Sequence, residues 1–214
     1  MANIVFLGSA GVGKGTYANI ISKEYNIPTI SSGDLLRTEV KSETELGKKA
    51  KAYMDKGELV PDELIDELIK NRISQPDCKN GFIFDGYPRN LDQAERLSKL
   101  AEINLVINLV TNEEVILDRL GGRIQCSKCG EIFHLRNIIP KVDGVCDKCG
   151  GKLYQRDDDQ PEAIKKRLNI YHNSVKAVIE YYKKQGVLHD VDASYGYAEV
   201  NKIIDPIKKL IDNT

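Results

Sequence analysis

Apolar residues follow two alternating patterns along this chain. Short, mostly apolar runs are typical of buried parallel strands, and they occupy residues 3–7, 81–86 and 105–110. Residues 187–191 are predicted to form a last strand. Between and after these runs, apolar residues recur at three- and four-residue steps, which indicates amphipathic helices. The predicted helices cover residues 16–25, 62–73, 111–120, 160–182 and 203–211. Strands that alternate with helices predict an α/β fold, with helices on both faces of a parallel sheet.

Two of the predicted helices are preceded by capping signatures. Thr111 stands three residues before Glu114, and Asp159 stands three residues before Glu162. This spacing is that of a capping box, in which the first side chain accepts a hydrogen bond from a free backbone N–H group. We therefore expect Thr111 to be the N-cap of its helix, and Asp159 is a candidate for the same role.

Residues 122–159 differ in character from the rest of the chain. They contain two Cys-x-x-Cys pairs, formed by Cys126, Cys129, Cys146 and Cys149, among glycines, charges and short β-like pieces. Each pair can direct two sulfurs at one ion from a tight turn, and four thiolates complete the tetrahedral shell that zinc prefers. Such a closed site is structural, not catalytic. A reduced redox pair or chance clustering is the alternative, and Cys78 stands apart.

A glycine-rich segment follows the first predicted strand. Residues 8–16 read Gly-Ser-Ala-Gly-Val-Gly-Lys-Gly-Thr and precede a predicted helix, which is the context of a phosphate-binding loop. Backbone N–H groups and the helix N-terminus surround an anion in such a loop, and Lys14 adds a full positive charge. The general motif has Ser or Thr directly after the lysine, whereas Gly15 takes that position here and Thr16 follows. The segment predicts a nucleoside triphosphate site; a glycine-rich turn without a ligand is the alternative.

Composition excludes several other classes of protein. The 214 residues fit one large domain, or one core with small inserted modules. The 31 Lys and Arg residues balance 32 Asp and Glu residues, so no overall basic charge recruits nucleic acid. The apolar runs are too short to cross a bilayer, and the first residues do not resemble a secretory signal. We therefore expect a cytoplasmic protein, in a compartment that keeps cysteines reduced.

Motifs that contain arginine follow one another in a fixed order. Asp85 ends a predicted strand, where a carboxylate would hold water on Mg²⁺, and Gly86-Tyr87-Pro88-Arg89 comes directly after it. Residues 31–37 form an earlier motif that ends in Arg37, and Arg119, Arg123, Arg156 and Arg167 come later. From Asn3 to about Val200, these motifs together with the phosphate loop and the four cysteines resemble the adenylate kinases with a long, zinc-binding lid. The Gly15-Thr16 variant is similar to the loop of that family, although Ala10 stands where many members have proline.

The resemblance implies roles for individual residues. It implies that ATP is bound by Gly11, Val12, Gly13, Lys14, Gly15, Thr16, Arg119, Arg123, Ile132, Phe133 and the backbone of Tyr195. It implies that AMP is bound by Ser32, Arg37, Glu58, Leu59, Val60, Gly86, Tyr87, Pro88, Arg89, Gln93, Arg156 and Arg167, with the Gln93 amide on the adenine edge. The catalytic group is then Lys14, Arg37, Asp85, Arg89, Arg123, Arg156 and Arg167. Asp158 and Asp159 are implied to pair with arginines when the lid closes, which is compatible with a capping role for Asp159.

The resemblance also implies an organisation and a reaction. Residues 1–30, 61–121 and 160–214 would form a P-loop core with a five-stranded parallel sheet, residues 31–60 an AMP-binding module, and residues 122–159 a lid with structural zinc. The expected reaction is reversible, Mg²⁺-dependent transfer, ATP + AMP = 2 ADP. We expect a monomeric enzyme whose partners are these nucleotides, without nucleic acid or membrane.

Other functions stay open at this point. A UMP or CMP kinase would use the same arginines, but those relatives usually look short-lidded, and Gln93 favours adenine. A zinc-ribbon protein that binds nucleic acid, with a regulatory P-loop core, would also contain four cysteines. Against it, residues 122–159 hold few aromatic residues and mixed charge. A P-loop protein that only senses a nucleotide is a third alternative.

Overall fold

Strands and helices alternate along most of the chain in the computed structural model, which describes residues 2–56 and 58–214. In chain order the elements are β1 (Asn3–Leu7), α1 (Lys14–Tyr25), β2 (Thr29–Ser31), α2 (Ser32–Lys41), α3 (Glu45–Met54), α4 (Asp62–Ile73), β3 (Phe82–Asp85), α5 (Leu91–Ser98), β4 (Leu105–Val110), α6 (Glu113–Gly121), β5 (Arg123–Cys126), β6 (Ile132–His134), β7 (Leu153–Tyr154), α7 (Pro161–Lys184), β8 (Leu188–Asp192) and α8 (Asn201–Asp212). The predicted bounds of α4 and β4 agree with the structure at both ends.

Five of these strands form the predicted parallel sheet, in the order β2-β3-β1-β4-β8. Each neighbouring pair is parallel, with register partners such as Val5 and Phe84 between β1 and β3. The hydrophobic pattern located four of the five strands. It gave no position for β2, because this edge strand has three residues and only Ile30 of them is buried.

Successive residues of β1 point to opposite faces of the sheet, as the period of two in a strand requires. Val5 and Leu7 pack in the core beneath α4, α5 and α7, whereas Ile4 and Phe6 pack in the core beneath α1 and α8. Helices therefore cover both faces, which confirms the predicted α/β architecture. The apolar runs of β1, β3 and β4 are nearly continuous because both sides of these three strands are buried.

The two predicted capping residues are both wrong. Asn112, not Thr111, is the N-cap of α6, and its side chain accepts a hydrogen bond from the N–H group of Val115 at 2.9 Å. Thr111 instead contacts the hydroxyl of Ser194. At α7 the N-cap is Gln160, without a side-chain bond, and Pro161 is the first helical residue. Proline suits that position because its missing N–H group would be unpaired there anyway.

Two small units extend from the sheet. Between β2 and α4, the helices α2 and α3 pack against each other so closely that a Cβ atom at Gly47 would lie 2.1 Å from the carbonyl oxygen of Glu39. Between α6 and α7, the strands β6, β5 and β7 form an antiparallel sheet in that order. The predicted boundaries of these units stay predictions. None of the helices in residues 2–56 and 58–214 has the length and apolar character that crossing a membrane requires.

Candidate active site

The carboxyl ends of β1, β2 and β3 open into one cavity. In an open parallel sheet, ligands bind outside this edge because loops and helix N-termini meet there. Positive side chains from every part of the chain line the cavity: Lys14, Arg37, Arg89, Arg119, Arg123, Arg156 and Arg167. Asp85, Ile132 and Phe133 line it as well. The cavity therefore brings together the predicted catalytic residues and suits a polyanionic ligand.

The phosphate loop lies at the floor of this cavity, between β1 and α1. Gly13 has a φ of 106°, and a Cβ atom there would lie 2.7 Å from the Tyr17 ring. Gly15 approaches Asp85, and its Cβ atom would lie 3.0 Å from the Asp85 Oδ2 atom. The Asp85 carboxylate therefore leaves little room for the Ser or Thr side chain that the general motif has at this position.

Lys14 and Asp85 form the polar centre of the cavity. The Lys14 Nζ atom donates to the carbonyl oxygens of Gly8 and Ser9, at 2.7 and 2.8 Å. Burial lowers the pKa of Lys14 to about 8, although the neighbouring Asp85 charge opposes this shift. Burial likewise raises the pKa of Asp85, against the effect of Lys14. An anionic phosphate or a divalent cation placed here would restore the charged forms.

Arg89 and Arg37 lie on the side of the cavity nearest α2. The Arg89 Nε atom donates to the Gly86 carbonyl oxygen at 2.6 Å, and the Arg89 Nη2 atom lies 3.3 Å from the Ser32 Oγ atom. The Ser32 hydroxyl also donates to Gly86, at 2.7 Å. Arg37 forms an ion pair with Asp34, one helical turn earlier, at 2.5 Å. Both guanidinium groups are therefore aimed by local partners before a ligand binds.

Other residues predicted for AMP lie at the margin of the cavity or behind it. Leu59 lines this cavity and an adjoining one, and Glu58 and Val60 line the adjoining one. The Glu58 carboxylate accepts a bond from Lys166 at 2.7 Å. Tyr87 is fully buried, with its hydroxyl 3.3 Å from Asp66. These side chains therefore lie around the main cavity, and only Leu59 of them lines it.

Gln93 lies behind Arg89 and has no exposed surface. Its Oε1 atom accepts the backbone N–H of Arg89 at 2.7 Å, and its Nε2 atom donates to Asp62 at 2.5 Å. Gln93 lines neither of the two adjoining cavities. The structure therefore places Gln93, the residue predicted to bind adenine, next to the cavity but not on the surface of the cavity.

Three arginines converge on two aspartates beside α7. Arg123 pairs with Asp159, whose side chain is buried, and Arg156 contacts Asp158 at 2.5 and 2.8 Å. Arg167 contacts both carboxylates, at 3.1 and 3.2 Å. Burial alone would raise the pKa of Asp158, but Arg167 and Arg156 outweigh it and lower this pKa to about 2. Asp159 thus serves as an arginine partner, the second of its two expected roles.

Arg119 connects the phosphate loop with the loop after β8. Its guanidinium donates to the Val12 carbonyl oxygen at 2.7 Å and to the carbonyl oxygens of Tyr195 and Ala193 at 2.7 and 2.9 Å. The Tyr195 ring lies under the Lys202 ammonium, 4.9 Å from it. The carbonyl predicted to read the ATP base is therefore held in place by Arg119.

The four paired cysteines come together at one end of the small antiparallel sheet. The sulfur atoms of Cys126, Cys129, Cys146 and Cys149 all lie within 4.8 Å of one another, and the shortest distances are 3.5 and 3.6 Å. Zinc bonded to four sulfurs at about 2.3 Å requires sulfur–sulfur distances of about 3.8 Å. The donor set therefore fits a structural zinc ion, as the spacing predicted.

His134 and Asp147 lie close to the cysteines in the sequence, but both have other partners. The His134 Nε2 atom lies 3.1 Å from the backbone carbonyl oxygen of Asp118, and its Nδ1 atom accepts two backbone N–H groups. The Asp147 carboxylate accepts the backbone N–H of Lys141. Cys78 is buried elsewhere, 3.0 Å from an Arg72 nitrogen atom.

The roles of two carboxylates in or near the site were not predicted from the sequence. Asp34 lines the cavity, and its three-residue spacing from Arg37 was the available signal. Asp62 contacts Gln93 across 31 positions of sequence, and nothing local indicated that contact.

Comparisons with known proteins agree with this geometry. The profile of the family described as Adenylate kinase matches residues 6–187. The chain is 48% identical to an adenylate kinase of Archaeoglobus fulgidus, over 96% of this chain and 99% of that protein. It is 50% identical to one of Staphylococcus epidermidis, over 97% and 100%. It is 52% identical to one of Caldicellulosiruptor saccharolyticus, over 86% and 88%.

Proposed function

The chain belongs to the adenylate kinase family, which makes it a kinase that acts on ATP, AMP and ADP, and from this premise we propose how its residues divide the work. The observation that carries the proposal is the convergence of Lys14 and six arginines on one cavity. Two bound nucleotides bring two polyanions together. Only a site with a large local excess of positive charge can hold them at reacting distance.

On the donor side, we assign the ATP phosphates to the loop from Gly11 to Thr16. Gly11, Gly13, Gly15 and Thr16 line the cavity at the N-terminus of α1, and Lys14 supplies the mobile charge. Lys14 now donates to the loop carbonyl oxygens, and it would exchange these for phosphate oxygens when ATP binds. Arg119, Ile132, Phe133 and the Tyr195 backbone would surround the base.

On the acceptor side, we assign the AMP phosphate to Arg37 and Arg89. A planar guanidinium binds two phosphate oxygens at once, which fixes the direction of the attacking oxygen. Ser32 and Gly86 orient Arg89, and Leu59 and Val60 belong to the adjoining wall. Gln93 would read the adenine edge, with one lone pair and one N–H group that its present partners leave free.

The transferred phosphoryl group would be surrounded by Arg123, Arg156 and Arg167. The negative charge on its oxygens spreads as the bond to ADP breaks, and fixed cations stabilise that distribution. Asp158 and Asp159 hold these arginines now, so the cations do not have to be assembled at the moment of reaction. The AMP phosphate oxygen is already anionic, and the transfer therefore needs no general base.

Two metal ions complete the proposal. Asp85 is the carboxylate that would hold Mg²⁺ through water, and bound Mg²⁺ neutralises phosphate charge during the transfer. The four cysteines would hold zinc, which gives the small sheet of residues 122–159 a rigid core. That unit has few buried apolar residues of its own, so metal binding supplies part of its folding free energy.

The two inserted units imply movement. Residues of both units line the adjoining cavity. Their approach over bound nucleotides would exclude water, which protects ATP from hydrolysis. We further propose that the enzyme acts as a monomer in the cytoplasm, without nucleic acid or membrane, and light scattering of the purified chain tests the oligomeric state.

The reaction is tested by ADP formation from Mg-ATP with AMP, CMP, UMP or GMP in separate assays. We expect rapid turnover with AMP, and none when Mg²⁺ is omitted. Comparable turnover with UMP or CMP would retain the arginine assignments but contradict the role of Gln93. Replacing Arg89 by Gln should lower kcat/KM for AMP by at least about 100-fold, because a charged bidentate contact is lost. Lys70→Gln, an exposed change on α4, is the matched control and should leave it unchanged.

A further inference from the structure

We propose that Asp62 sets the base specificity of the monophosphate site, because it fixes the orientation of the Gln93 side-chain amide. This inference rests on the proposed function, in which Gln93 reads the adenine edge. Asp62 is a positioning residue: it contacts Gln93 and lines neither of the two adjoining cavities.

Two partners of opposite character hold the Gln93 amide. The backbone N–H of Arg89 can only donate, and it reaches the Gln93 Oε1 atom at 2.7 Å. The Asp62 carboxylate can only accept, and the Gln93 Nε2 atom donates a hydrogen bond to it at 2.5 Å. A reversed amide would place two donors together on one side and two oxygens together on the other. Because Gln93 is fully buried, water cannot compensate for these mismatches.

Asp62 is itself held firmly. It is the first residue of α4, directly after Pro61, and its carboxylate contacts Arg96 at 2.6 Å and Asn90 at 3.3 Å. Gln93 lies in the first turn of α5, where its backbone N–H donates to the Asn90 side chain at 2.8 Å. Both members of the pair therefore stand on helix N-termini that are tied to the same asparagine.

The fixed amide suits adenine and not a 6-oxopurine. After the two observed bonds, one lone pair on Oε1 and one N–H on Nε2 remain. Adenine offers an exocyclic N–H and a ring nitrogen acceptor, which match this pair. Hypoxanthine offers a carbonyl oxygen and a ring N–H, which need the reversed amide. Gln93 is fully buried in this structure, and the inference requires the residues that cover it to move so that the base reaches its amide.

The test compares AMP with inosine monophosphate, which differs only at that edge of the base. Asp62→Asn replaces the obligatory acceptor by a group that also donates, so Gln93 becomes free to turn over. Asp66→Asn is the matched control: Asp66 stands one turn later on α4 and contacts the same Arg96 at 2.6 Å, but not Gln93. Initial rates at saturating Mg-ATP give kcat/KM for each monophosphate.

We expect Asp62→Asn to lower the preference for AMP over inosine monophosphate by about tenfold or more, since a buried mismatch is the source of discrimination. KM for ATP and the preference of Asp66→Asn should stay within about twofold of the parent. Equal losses for both monophosphates in Asp62→Asn would show a structural role only and overturn the inference.

A Gln93→Leu variant separates the inference from its premise. If Gln93→Leu abolishes the preference while Asp62→Asn keeps it, Gln93 reads the base but Asp62 does not orient it. If Gln93→Leu keeps the preference, the proposed reading fails and the inference fails with it.

The paired exchange Asp62→Asn with Gln93→Glu guards against a variant that does not fold. The introduced asparagine would donate to the introduced glutamate, and that glutamate would still accept the Arg89 N–H, so the number of hydrogen bonds within the pair is kept. The base would then meet an oxygen where it now meets an N–H. The exchange should lower kcat/KM for AMP more than that for inosine monophosphate, and a retained AMP preference would contradict the inference.

Discussion

Gly13 and Gly15 occupy the phosphate loop for different physical reasons. The backbone of Gly13 has a positive φ, and any side chain there would meet the Tyr17 ring. Gly15 has an ordinary helical backbone, but a side chain would crowd the Asp85 carboxylate. Gly121, at the end of α6, has neither constraint, since no atom lies within 4 Å of a Cβ placed there.

These differences predict opposite effects of alanine. Gly13→Ala should destabilise the protein by about 1–3 kcal/mol, because it forces a strained backbone and a contact with Tyr17. It should also weaken ATP binding. Gly121→Ala should stabilise the protein by about 0.5 kcal/mol, because it reduces the freedom of the unfolded chain. Urea unfolding of both variants measures the difference, and equal effects would contradict this account of Gly13.

Lys14 gives ATP binding a pH dependence. Its pKa of about 8 means that the free enzyme loses this charge as pH rises through 8, whereas bound phosphates favour the charged form. ATP binding at pH 9 should therefore take up a proton, and affinity should fall by up to about tenfold per pH unit above 8. Calorimetry in two buffers of different ionisation enthalpy measures the uptake. Lys14→Met should show none, and parent protein without uptake would refute the prediction.

At the start of helix α6, the N-cap residue in the structure differs from the one that the sequence pattern predicted. Asn112 caps the helix with a side-chain hydrogen bond, whereas Thr111 and Glu114 only have the spacing of a capping box. Asn112→Ala should therefore cost about 1 kcal/mol of stability, and Thr111→Ala should cost less. Thermal or urea unfolding of the two variants measures this difference. A larger loss of stability in Thr111→Ala than in Asn112→Ala would support the capping box instead.

We expect the small sheet of residues 122–159 to depend on a metal ion bound by its four cysteines. Chelation of zinc, or Cys129→Ser, should lower the melting temperature by several degrees, since four thiolates would lose the ion that holds β5 and β7 together. The rate of phosphoryl transfer at a temperature well below melting should change little, because no cysteine lines the catalytic cavity. Cys78→Ser, outside the site, should leave the zinc content unchanged. A metal-free protein of unchanged stability would contradict the assignment.

At the scale of the whole molecule, charge is arranged unevenly. The formal net charge is −1, yet seven positive side chains line one cavity. Local potential, not net charge, therefore attracts the nucleotides, and such attraction is screened by salt.

We expect kcat/KM for AMP to fall several-fold between about 0.05 and 0.5 M KCl. Arg37→Gln should reduce both kcat/KM and its dependence on salt. Lys70→Gln removes the same charge from an exposed position on α4 and should leave the dependence unchanged. Equal salt dependence in the two variants would mean that net charge, not the cavity, controls association.

Local patterns predicted much of this molecule. The apolar runs located β1, β3 and β4, because strands buried on both faces need continuous apolar residues. The edge strand β8 was also predicted, although only Val191 of it is buried. The strand β2 was not predicted, since three residues give no periodicity. The phosphate loop and the two cysteine pairs could be predicted, because the residues of each motif stand within a few positions of one another in the sequence. Asp62 was not visible, because its partner Gln93 lies on another helix.

The α/β class, the phosphate loop, the zinc-binding set and the family could all be predicted from the chain, because they depend on near neighbours or on motifs in a fixed order. The folded molecule was needed to show which arginine each aspartate holds, that Asp159 pairs with Arg123 and does not cap α7, and that Asp62 and Arg89 hold Gln93. A buried polar group takes whichever partner the packing of distant elements brings within reach, and no local spacing records that choice.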